Sequence, residues 1–384
     1  MEKQRKYVKI ILLFVFCLLC INSLLGVMPQ NSKVKQEAEN RENRELATKP
    51  KFTFHNYNNY FSEYNIYFDD NFPFRNKWIY LNNLIDYKIF GKSSNADVII
   101  GNEGWLFGLY TLADYEKSNL YDEEELEVLL ADLLVTQQYF DERGIEFIFY
   151  VAPNKNTIYS EYMPGKEGVP KGPSRTEQAI QYIRENSDIT VIYPKEEVLQ
   201  AKAAYPDLQL YFKIDTHWNY MGAYWGTKPL LEKMGVKTEP FEQVTWEEIN
   251  EPVLRWHGYD LAEMLGISEH LSVDTNYHLS GYTKNEVSSD GEAALIMSDF
   301  YGDERNYSNS KDKRKVYFAR DSFGVSMLPF LSAEFGEVYS VHKDKLDAKT
   351  IDEESPDIFI YEVVERNSFG LINVNHWKPE LWLK

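Results

Sequence analysis

Cysteine is nearly absent from this sequence: 2 of its 384 residues are cysteine, and Cys17 and Cys20 both lie in one apolar stretch near the amino terminus. Neither a disulfide framework nor a thiolate metal site can therefore form in the rest of the chain. A cysteine nucleophile is excluded there as well. We expect the folded part to be stabilised by its core alone, which suits a bacterial surface or periplasm-like location.

Histidine is also scarce, with 7 residues in the whole chain. No His-x-x-x-His or comparable metal-binding spacing occurs among them. Apart from His217, they stand scattered, at His55, His257, His270, His278, His342 and His376. The pattern disfavours a metal enzyme, and we predict neither a metal nor a cofactor.

Positive charge is in deficit, since 41 Lys and Arg face 60 Asp and Glu, a formal net charge of −19. Beyond Met28 the balance is 41 − 4 = 37 basic against 60 − 1 = 59 acidic residues, a net charge of −22. A domain with this charge repels polyanions, which argues against nucleic acid and against a broad contact surface for teichoic acid or anionic lipid. A neutral or locally shielded substrate suits the charge better.

Long apolar runs are missing except at the amino terminus, where Ile10 to Ile21 continues through Leu24 to Met28. The run is long enough to cross a bilayer, and basic residues precede it, which predicts a cytoplasmic amino terminus and an exported remainder. We expect residues 1–28 to be a single-pass anchor in a bacterial cell membrane. A cleaved signal peptide is the alternative, although no clear small-x-small site follows. The basic residues are Lys3, Arg5, Lys6 and Lys9.

Residues 29–51 are polar and charged, without apolar periodicity. They are typical of a juxtamembrane linker, with a partner-binding segment as the alternative. From residue 52 to residue 384 the chain is rich in aromatic side chains, and we predict one extracytoplasmic domain there.

Helical and strand patterns alternate through much of this domain. The alternation predicts an α/β fold built on a doubly wound, mostly parallel sheet. Residues of about 240–312 break the rhythm, and we interpret them as an insertion that serves as structural cover or as a substrate lid. The predicted helices are 123–144, 175–186, 196–204, 219–234 and 323–335, and the predicted strands are 147–152, 190–193, 208–212, 315–319 and segments near Val338 and Ile358.

Two short motifs supply the residue types of serine acyl chemistry. Asp215 and His217 stand two residues apart, and Ser322 follows about a hundred residues later. A serine hydroxyl needs an imidazole to take its proton, and the imidazole needs a carboxylate to hold its tautomer. The alternative is that His217 is a satisfied loop or core histidine and Ser322 a helix N-cap.

The predicted elements place both motifs at strand-to-helix connections. Ser322 follows a buried strand and begins a helix, where backbone N–H groups and the positive dipole end suit an oxyanion. Asp215 and His217 follow the predicted strand 208–212 and precede the next helix. Because ligands bind at the carboxyl ends of strands in open α/β sheets, we expect the two motifs to meet at one edge of the sheet.

The motifs also resemble a known group of proteins. Asp215-Thr216-His217-Trp218 with Arg320-Asp321-Ser322-Phe323-Gly324 is similar to the DHHW and alginate O-acetyltransferase group of SGNH-hydrolase-like proteins. Further blocks of the chain agree with this group in order, at 68–75, 101–107, 151–155 with 158–159 and 163–164, and 364–367. The resemblance covers about residues 60–370, almost the whole predicted exported part.

This resemblance implies a flavodoxin-like fold and O-acetyl transfer to an exported polysaccharide. It implies that Ser322 is the nucleophile, His217 the base and Asp215 its orienting carboxylate, with the serine placed after the Asp and His in the permuted order of the group. It also implies a partner, a multi-spanning membrane-bound acyltransferase that supplies acetyl groups.

Six more residues are candidates for binding substrate or the oxyanion. Asn154 or Asn367 would supply a second oxyanion donor, although asparagine also favours turns. Lys155 and Arg366, the latter beside Glu365, would orient substrate or form a supporting ion pair. Arg320 would restrict the pocket or lie on the surface. Trp218, like Trp105, would stack on a sugar or pack in the core.

Two other functions remain open from the sequence. The same triad in a carbohydrate esterase would transfer the acetyl group to water, so that the protein would be a polysaccharide deacetylase. A non-catalytic scaffold would keep the fold and bind glycan or a membrane partner in a polysaccharide export complex. A structure that places Ser322 and His217 far apart would favour the scaffold.

Overall fold

The computed structural model describes residues 45–55, 57–72, 74–165, 171–251, 259–289 and 302–368, together with six positions between residues 9 and 17. Most of the predicted anchor and the first part of the predicted linker lie outside the described residues. Within the described part of the chain, no helix has both the length and the apolar character required to span a bilayer.

The chain divides into two compact units, Met1–Gly91 and Lys92–Lys384. The sequence predicted one folded part from residue 52, whereas the structure groups residues 52–91 with the first unit. That unit contains helix α1, Tyr57–Asp70, and helix α2, Arg75–Ile85, which continues as a π-helical turn, Asp86–Phe90.

A seven-stranded sheet organises the second unit. Its strands are β3 Glu146–Ala152, β4 Thr190–Ile192, β7 Val287–Ser289, β8 Glu304–Ser308, β9 Lys315–Arg320, β10 Glu337–His342 and β11 Ile358–Val364. Their order across the sheet is β4-β3-β11-β9-β10-β8-β7. The first five strands of this order are parallel, and β8 and β7 add antiparallel pairs at one edge. The predicted mostly parallel sheet is confirmed.

The parallel strands follow a circularly permuted flavodoxin order. If β9 is counted as the first strand, followed by β10, β11, β3 and β4, the spatial order is 2-1-3-4-5. The order reverses between β9 and β11, and such a switch point is where doubly wound sheets bind ligands. The turn after β9, which carries Ser322, therefore lies at the switch point of the sheet.

Helices cover both faces of this sheet because alternate strand residues point to opposite sides. Tyr150 and Phe318 belong to the core on one face, and Phe149 and Tyr317 to the core on the other. The helices of this unit are α3 Leu112–Tyr115, α4 Glu123–Asp141, α5 Lys155–Ile158, α6 Arg175–Asn186, α7 Lys195–Ala204, α8 Tyr220–Lys233, α9 Asp260–Met264, α10 Ser322–Glu334 and α11 Ala348–Glu354. Helices α7, α8 and α10 contribute to the first core, and α4, α6 and α11 to the second.

The predicted strand 208–212 is wrong. Tyr159 and Tyr277 hydroxyls, each at 3.0 Å, accept the backbone N–H groups of Leu210 and Gln209, so these groups are not available to a neighbouring strand. The segment instead folds back on itself, and an isolated bridge joins Tyr211 to Trp218. Asp215 and His217 therefore lie in an irregular loop before α8, and not after a strand of the sheet.

The stretch of about residues 240–312, predicted to be an insertion, contributes to three parts of the structure: a separate strand pair, the edge of the main sheet and the surroundings of Asp215. Strands β5, Thr245–Ile249, and β6, Asn276–Ser280, form a separate antiparallel pair. Strands β7 and β8 extend the main sheet. Helix α9 begins at Asp260, which contacts the loop of Asp215, as described below. A further antiparallel pair, β1 Val98–Ile100 and β2 Leu106–Gly108, precedes the first core helices.

Candidate active site

Three neighbouring strands end at the candidate site. Strand β3 leads into Asn154, β11 leads into Arg366 and β9 leads into Ser322. Because the carboxyl ends of parallel strands meet at one edge, the fold brings these distant segments together. The loop of Asp215 and His217 joins them from outside the sheet.

Asp215 and His217 form a buried hydrogen-bonded pair, with His217 Nδ1 2.7 Å from Asp215 Oδ1. The carboxylate also accepts the backbone N–H groups of His217, at 2.8 Å, and of Asp260, at 2.9 Å. Although burial opposes it, the charge and hydrogen bonds of His217 hold the pKa of Asp215 below its ordinary value. The carboxylate is therefore ionised and fixed at neutral pH.

The other ring nitrogen of His217 is left available. Burial acts to lower the pKa of His217, but the Asp215 carboxylate outweighs it and the pKa is raised. With Nδ1 donating to Asp215, Nε2 is the proton acceptor of the neutral ring. Nε2 is buried and has no hydrogen-bond partner in the described part of the chain. This is the arrangement that a general base needs.

Ser322 is the first residue of α10 and is half-buried. The helix N-cap is Asp321, whose carboxylate accepts the N–H groups of Phe323 and Val364, each at 2.8 Å. Ser322 is therefore not the N-cap, and its own N–H is one of the donors of the first turn that have no partner within the helix.

Phe323 connects this turn to the histidine loop. Its ring centroid lies 5.0 Å from that of His217, and its carbonyl oxygen accepts a 3.0 Å hydrogen bond from Trp218 Nε1. The turn that carries Ser322 thus packs against the histidine loop through Phe323, and no hydrogen bond joins the Ser322 and His217 side chains among the described residues.

A buried carboxyl group supports the turn from beneath. Glu362, on β11, accepts the Asp321 N–H at 3.0 Å through Oε2 and also accepts the Gly324 N–H. Burial, reinforced by the charge of Asp321, raises the pKa of Glu362 well above its ordinary value. A Cβ atom at Gly324 would lie 2.6 Å from Glu362 Oε2, which explains why glycine occupies that position.

The hydrogen bonds of Asn154 hold its backbone and its side-chain oxygen, and they do not use its side-chain nitrogen. Its backbone N–H donates to Glu365 Oε2 at 2.7 Å, and its Oδ1 accepts a 3.3 Å hydrogen bond from Arg366. Its Nδ2 is buried without a hydrogen-bond partner in the described chain. The Arg366 guanidinium lies 5.1 Å from the Phe323 ring centroid, so Asn154 and Arg366 belong to the same site as the Ser322 turn.

Lys155 does not orient substrate and forms no ion pair among the described residues. Its ammonium group is buried and donates to three carbonyl oxygens, of Phe212 at 3.0 Å, Lys213 at 3.1 Å and Asp215 at 2.6 Å. Burial lowers the pKa of Lys155 to about 8, against the opposing effect of Asp260 and Asp215. Its role is to hold the loop that carries Asp215.

Glu365 likewise departs from the predicted ion pair with Arg366. Its carboxyl oxygens accept hydrogen bonds from Asn154 N, Thr157 Oγ1 and Tyr193 OH. Burial, followed by the charge of Asp114, raises the pKa of Glu365 to about 8. The side chain therefore positions Asn154 as a mainly neutral group.

Of the remaining candidates, Trp218 packs in the core and Asn367 lies in a short 3₁₀ turn, which are the alternative roles given above, whereas Arg320 departs from both of its predicted roles. Trp218 is fully buried, and a Cβ atom at Gly226 would approach its ring to 2.6 Å, so neither ring face can stack on a sugar. Arg320 is neither a surface residue nor part of a pocket wall: it is fully buried and donates to Ser340 Oγ at 2.9 Å. Asn367 is exposed and has no hydrogen bond to the other candidates in the part described. Trp105 is also buried, stacked on Tyr159 with centroids 4.3 Å apart.

The sequence patterns did not identify Asp260. Its carboxylate accepts the Thr216 N–H at 2.8 Å and bonds the Thr216 hydroxyl, and its Oδ2 lies 3.9 Å from His217 Nδ1. Burial, followed by the charge of Asp215, raises the pKa of Asp260. No local motif marks this residue, because it comes from the predicted insertion.

Asp215, His217 and Asp260 place potential ligand atoms within 4.8 Å of one another. A cation there would compete with hydrogen bonds, because both carboxylates already accept backbone N–H groups and Asp215 accepts from the imidazole. The cluster suits proton transfer better than metal binding.

The chain is similar to several known proteins. A family model described as an SGNH hydrolase-like domain of the acetyltransferase AlgX matches residues 98–299, a range that includes Asp215 and His217 and ends before Ser322.

Two curated relatives are both described as probable alginate O-acetylase AlgJ. The protein of Pseudomonas syringae pv. tomato is 24% identical over 183 residues, which cover 47% of this chain and 44% of that protein. The protein of Pseudomonas fluorescens is 27% identical over 193 residues, which cover 48% of this chain and 46% of that protein. The chain thus spans about half the length of these relatives.

Solved structures show the same fold. A DHHW family protein from Eubacterium siraeum is similar with a TM-score of 0.50 and 14% identity, over 73% of this chain and 97% of that one. Bacillus cereus PatB1, solved with a sulfonyl adduct, is similar with a TM-score of 0.52 and 15% identity, over 73% of this chain and 99% of that one.

Proposed function

The chain belongs to the family of the SGNH hydrolase-like domain of the acetyltransferase AlgX, and we propose on this premise that it is a membrane-anchored, extracytoplasmic O-acetyltransferase. Acetyl groups would move to hydroxyls of an exported polysaccharide through a Ser322-His217-Asp215 triad. The observation that carries this proposal is the free, buried Nε2 of His217 beside the turn that bears Ser322.

The first half-reaction loads the serine. Ser322 Oγ attacks the acetyl carbonyl of the donor while His217 Nε2 takes its proton. Asp215 stabilises the imidazolium that forms. When the tetrahedral intermediate collapses, the donor's leaving oxygen takes the proton from His217 and departs, which leaves an acetyl ester on Ser322.

The second half-reaction unloads the serine. His217 takes the proton of a sugar hydroxyl, whose oxygen attacks the acetyl-serine carbonyl. Collapse of the second tetrahedral intermediate returns the proton to Ser322 Oγ and releases the O-acetylated sugar. In both halves, the Ser322 N–H and Asn154 Nδ2 are the two donors that suit the oxyanion.

The acceptor we propose is a neutral or weakly charged polysaccharide. The curated relatives are named for alginate, but the exported part of this chain carries a net charge of −22, which repels a polyuronate. The amino-terminal apolar run would hold the domain at the bacterial cell membrane, beside a multi-spanning acyltransferase that supplies acetyl groups.

The test is transfer by the purified full chain from a chromogenic acetyl ester, with and without a neutral oligosaccharide. We expect acetyl-oligosaccharide by mass spectrometry, abolished in Ser322→Ala and retained in the exposed control Asn367→Ala. Release of acetate alone, equally fast with and without the acceptor, would show an esterase. Equal, measurable activity of Ser322→Ala and wild type would refute the triad, and the absence of activity from both proteins would favour the scaffold.

A further inference from the structure

Helix α2 exposes an unusually apolar surface for a short helix. Neither α2 nor its π-helical continuation buries any residue. Six of their large apolar side chains are exposed, among them Trp78 by 39%, Leu81 by 43%, Ile85 by 38% and Ile89 by 70%; the other two are Ile79 and Phe90. Single exposed apolar residues are normal, but a run of them marks a surface that meets an apolar environment.

The spacing of Trp78, Leu81, Ile85 and Ile89 places these four side chains on one side of the helix. Intervals of three, four and four residues separate Trp78, Leu81, Ile85 and Ile89, which is the repeat of a single helix face. At about 100° per residue, Lys77 and Lys88 both lie along one edge of this face. We call the four apolar residues the α2 stripe.

The segment around the stripe differs in charge from the rest of the chain. Residues 74–92 contain four basic residues and one acidic residue, so 4 − 1 gives a net charge of +3, against −19 for the whole chain. The basic residues are Arg75, Lys77, Lys88 and Lys92, and the acidic residue is Asp86. A second copy of the helix would set basic residues against basic residues in a symmetric pairing.

We propose that α2 lies in the interface of an anionic lipid bilayer, with the α2 stripe among the headgroups and upper acyl chains and Lys77 and Lys88 at the phosphates. An apolar face with Trp, Ile and Leu, edged by lysine, is the composition of helices that lie in the membrane plane. Tryptophan favours this depth in particular. Helix α1, which carries the acidic residues Glu63, Asp69 and Asp70 and no basic residue, is not part of this surface.

This placement is independent of the acetyltransferase activity. It assigns to α2 a contact of its own with the membrane surface, whereas the amino-terminal apolar run would provide attachment only. The experiment must therefore report on α2 itself within the attached full chain, and not on binding as such.

The test uses the full chain with Cys17→Ser and Cys20→Ser, carrying one new cysteine labelled with an environment-sensitive fluorophore. Ile85→Cys reports on the stripe, and Asn83→Cys, about 200° away around the helix, is the matched control. Each protein is reconstituted in phosphatidylcholine vesicles with or without phosphatidylglycerol, and a headgroup-level nitroxide lipid serves as quencher.

With phosphatidylglycerol present, we expect a blue shift at position 85 and quenching about twofold stronger than at position 83. Salt and the double variant Lys77→Glu/Lys88→Glu should reduce the difference. Equal quenching at the two positions would overturn the proposal. A fluorophore at position 85 that is already shielded from water in the absence of lipid would also overturn it, because another part of the protein would then cover the stripe.

Discussion

His217 Nδ1 lies 2.7 Å from Asp215 Oδ1, and both side chains are buried. The two residues stand two positions apart in an irregular loop, so their contact depends on the loop being held in place. Lys155 holds it through three backbone carbonyls, one of them that of Asp215. The pair is thus a prearranged base rather than a chance contact.

Replacing Asp215 by Asn should lower the pKa of His217. The carboxylate keeps this pKa raised against burial, so burial dominates once the charge is removed. NMR titration of the imidazole measures the shift, with His342 as the control whose pKa should not move. The rate of acetyl transfer should fall by about 10³–10⁴-fold, because the tautomer is no longer fixed. An unchanged His217 pKa would contradict the pairing.

The pH dependence of the wild-type protein has a defined sign. Only neutral His217 can act as base, so the rate should decline as the pH falls through its raised pKa. Asp260→Asn should move this decline to lower pH by less than Asp215→Asn does, since Asp260 lies 3.9 Å from Nδ1 and does not bond it. Rate profiles of donor cleavage against pH provide the measurement. A larger shift in Asp260→Asn than in Asp215→Asn would reverse the assignment of roles.

Asn154→Ala should reduce kcat by about 10²–10³-fold, because it removes one oxyanion donor. Its effect on folding should be small, since Glu365 binds the backbone N–H of Asn154 and not the side chain. Asn367→Ala is the matched control, an exposed asparagine from the same predicted set. Steady-state kinetics and thermal unfolding separate the two effects. Equal kcat values for the two variants would exclude Asn154 from the oxyanion site.

Glu362→Gln should fold well, whereas Glu362→Ala should lose about 1–3 kcal/mol, because the N–H groups of Asp321 and Gly324 lose their acceptor. The raised pKa means that the folded protein holds this proton above the ordinary pKa of glutamate. At low pH, Glu362 is protonated in both the folded and the unfolded protein. As the pH rises above the ordinary pKa of glutamate, the unfolded protein releases this proton first, so the wild-type protein loses stability until the pH passes the raised pKa of the folded state. The stability of Glu362→Gln relative to wild type should therefore improve with pH in denaturant titrations. A pH-independent difference would show that Glu362 is ionised.

The serine limb of the site could be predicted from sequence because its signals are local. Strand β9 is a short apolar run buried on both faces, and a helix with regular apolar spacing follows. The choice of N-cap was not predictable in this way. Asp321 and Ser322 are both good capping residues, and the carboxylate prevails because Val364 N–H on the adjacent strand also binds it.

The histidine limb depends on contacts that no local pattern shows. Residues 208–212 have the composition of a strand, yet tyrosine side chains from elsewhere in the chain bind their backbone N–H groups. Asp260, 45 positions after Asp215 in the sequence, joins the site through the hydrogen bond from its N–H to the Asp215 carboxylate. The buried roles of Arg320, Trp218 and Lys155 likewise arise from tertiary packing, which sequence spacing alone does not encode.

The central claim is that Ser322 carries the acetyl group between donor and acceptor. Its most direct test is intact-protein and peptide mass spectrometry after brief exposure of the full chain to an acetyl donor without acceptor. We predict the mass of one acetyl group on the peptide that contains Ser322, lost on addition of a neutral oligosaccharide and absent from Ser322→Ala. An acetyl group on another residue, with Ser322 unmodified while transfer proceeds, would contradict the account.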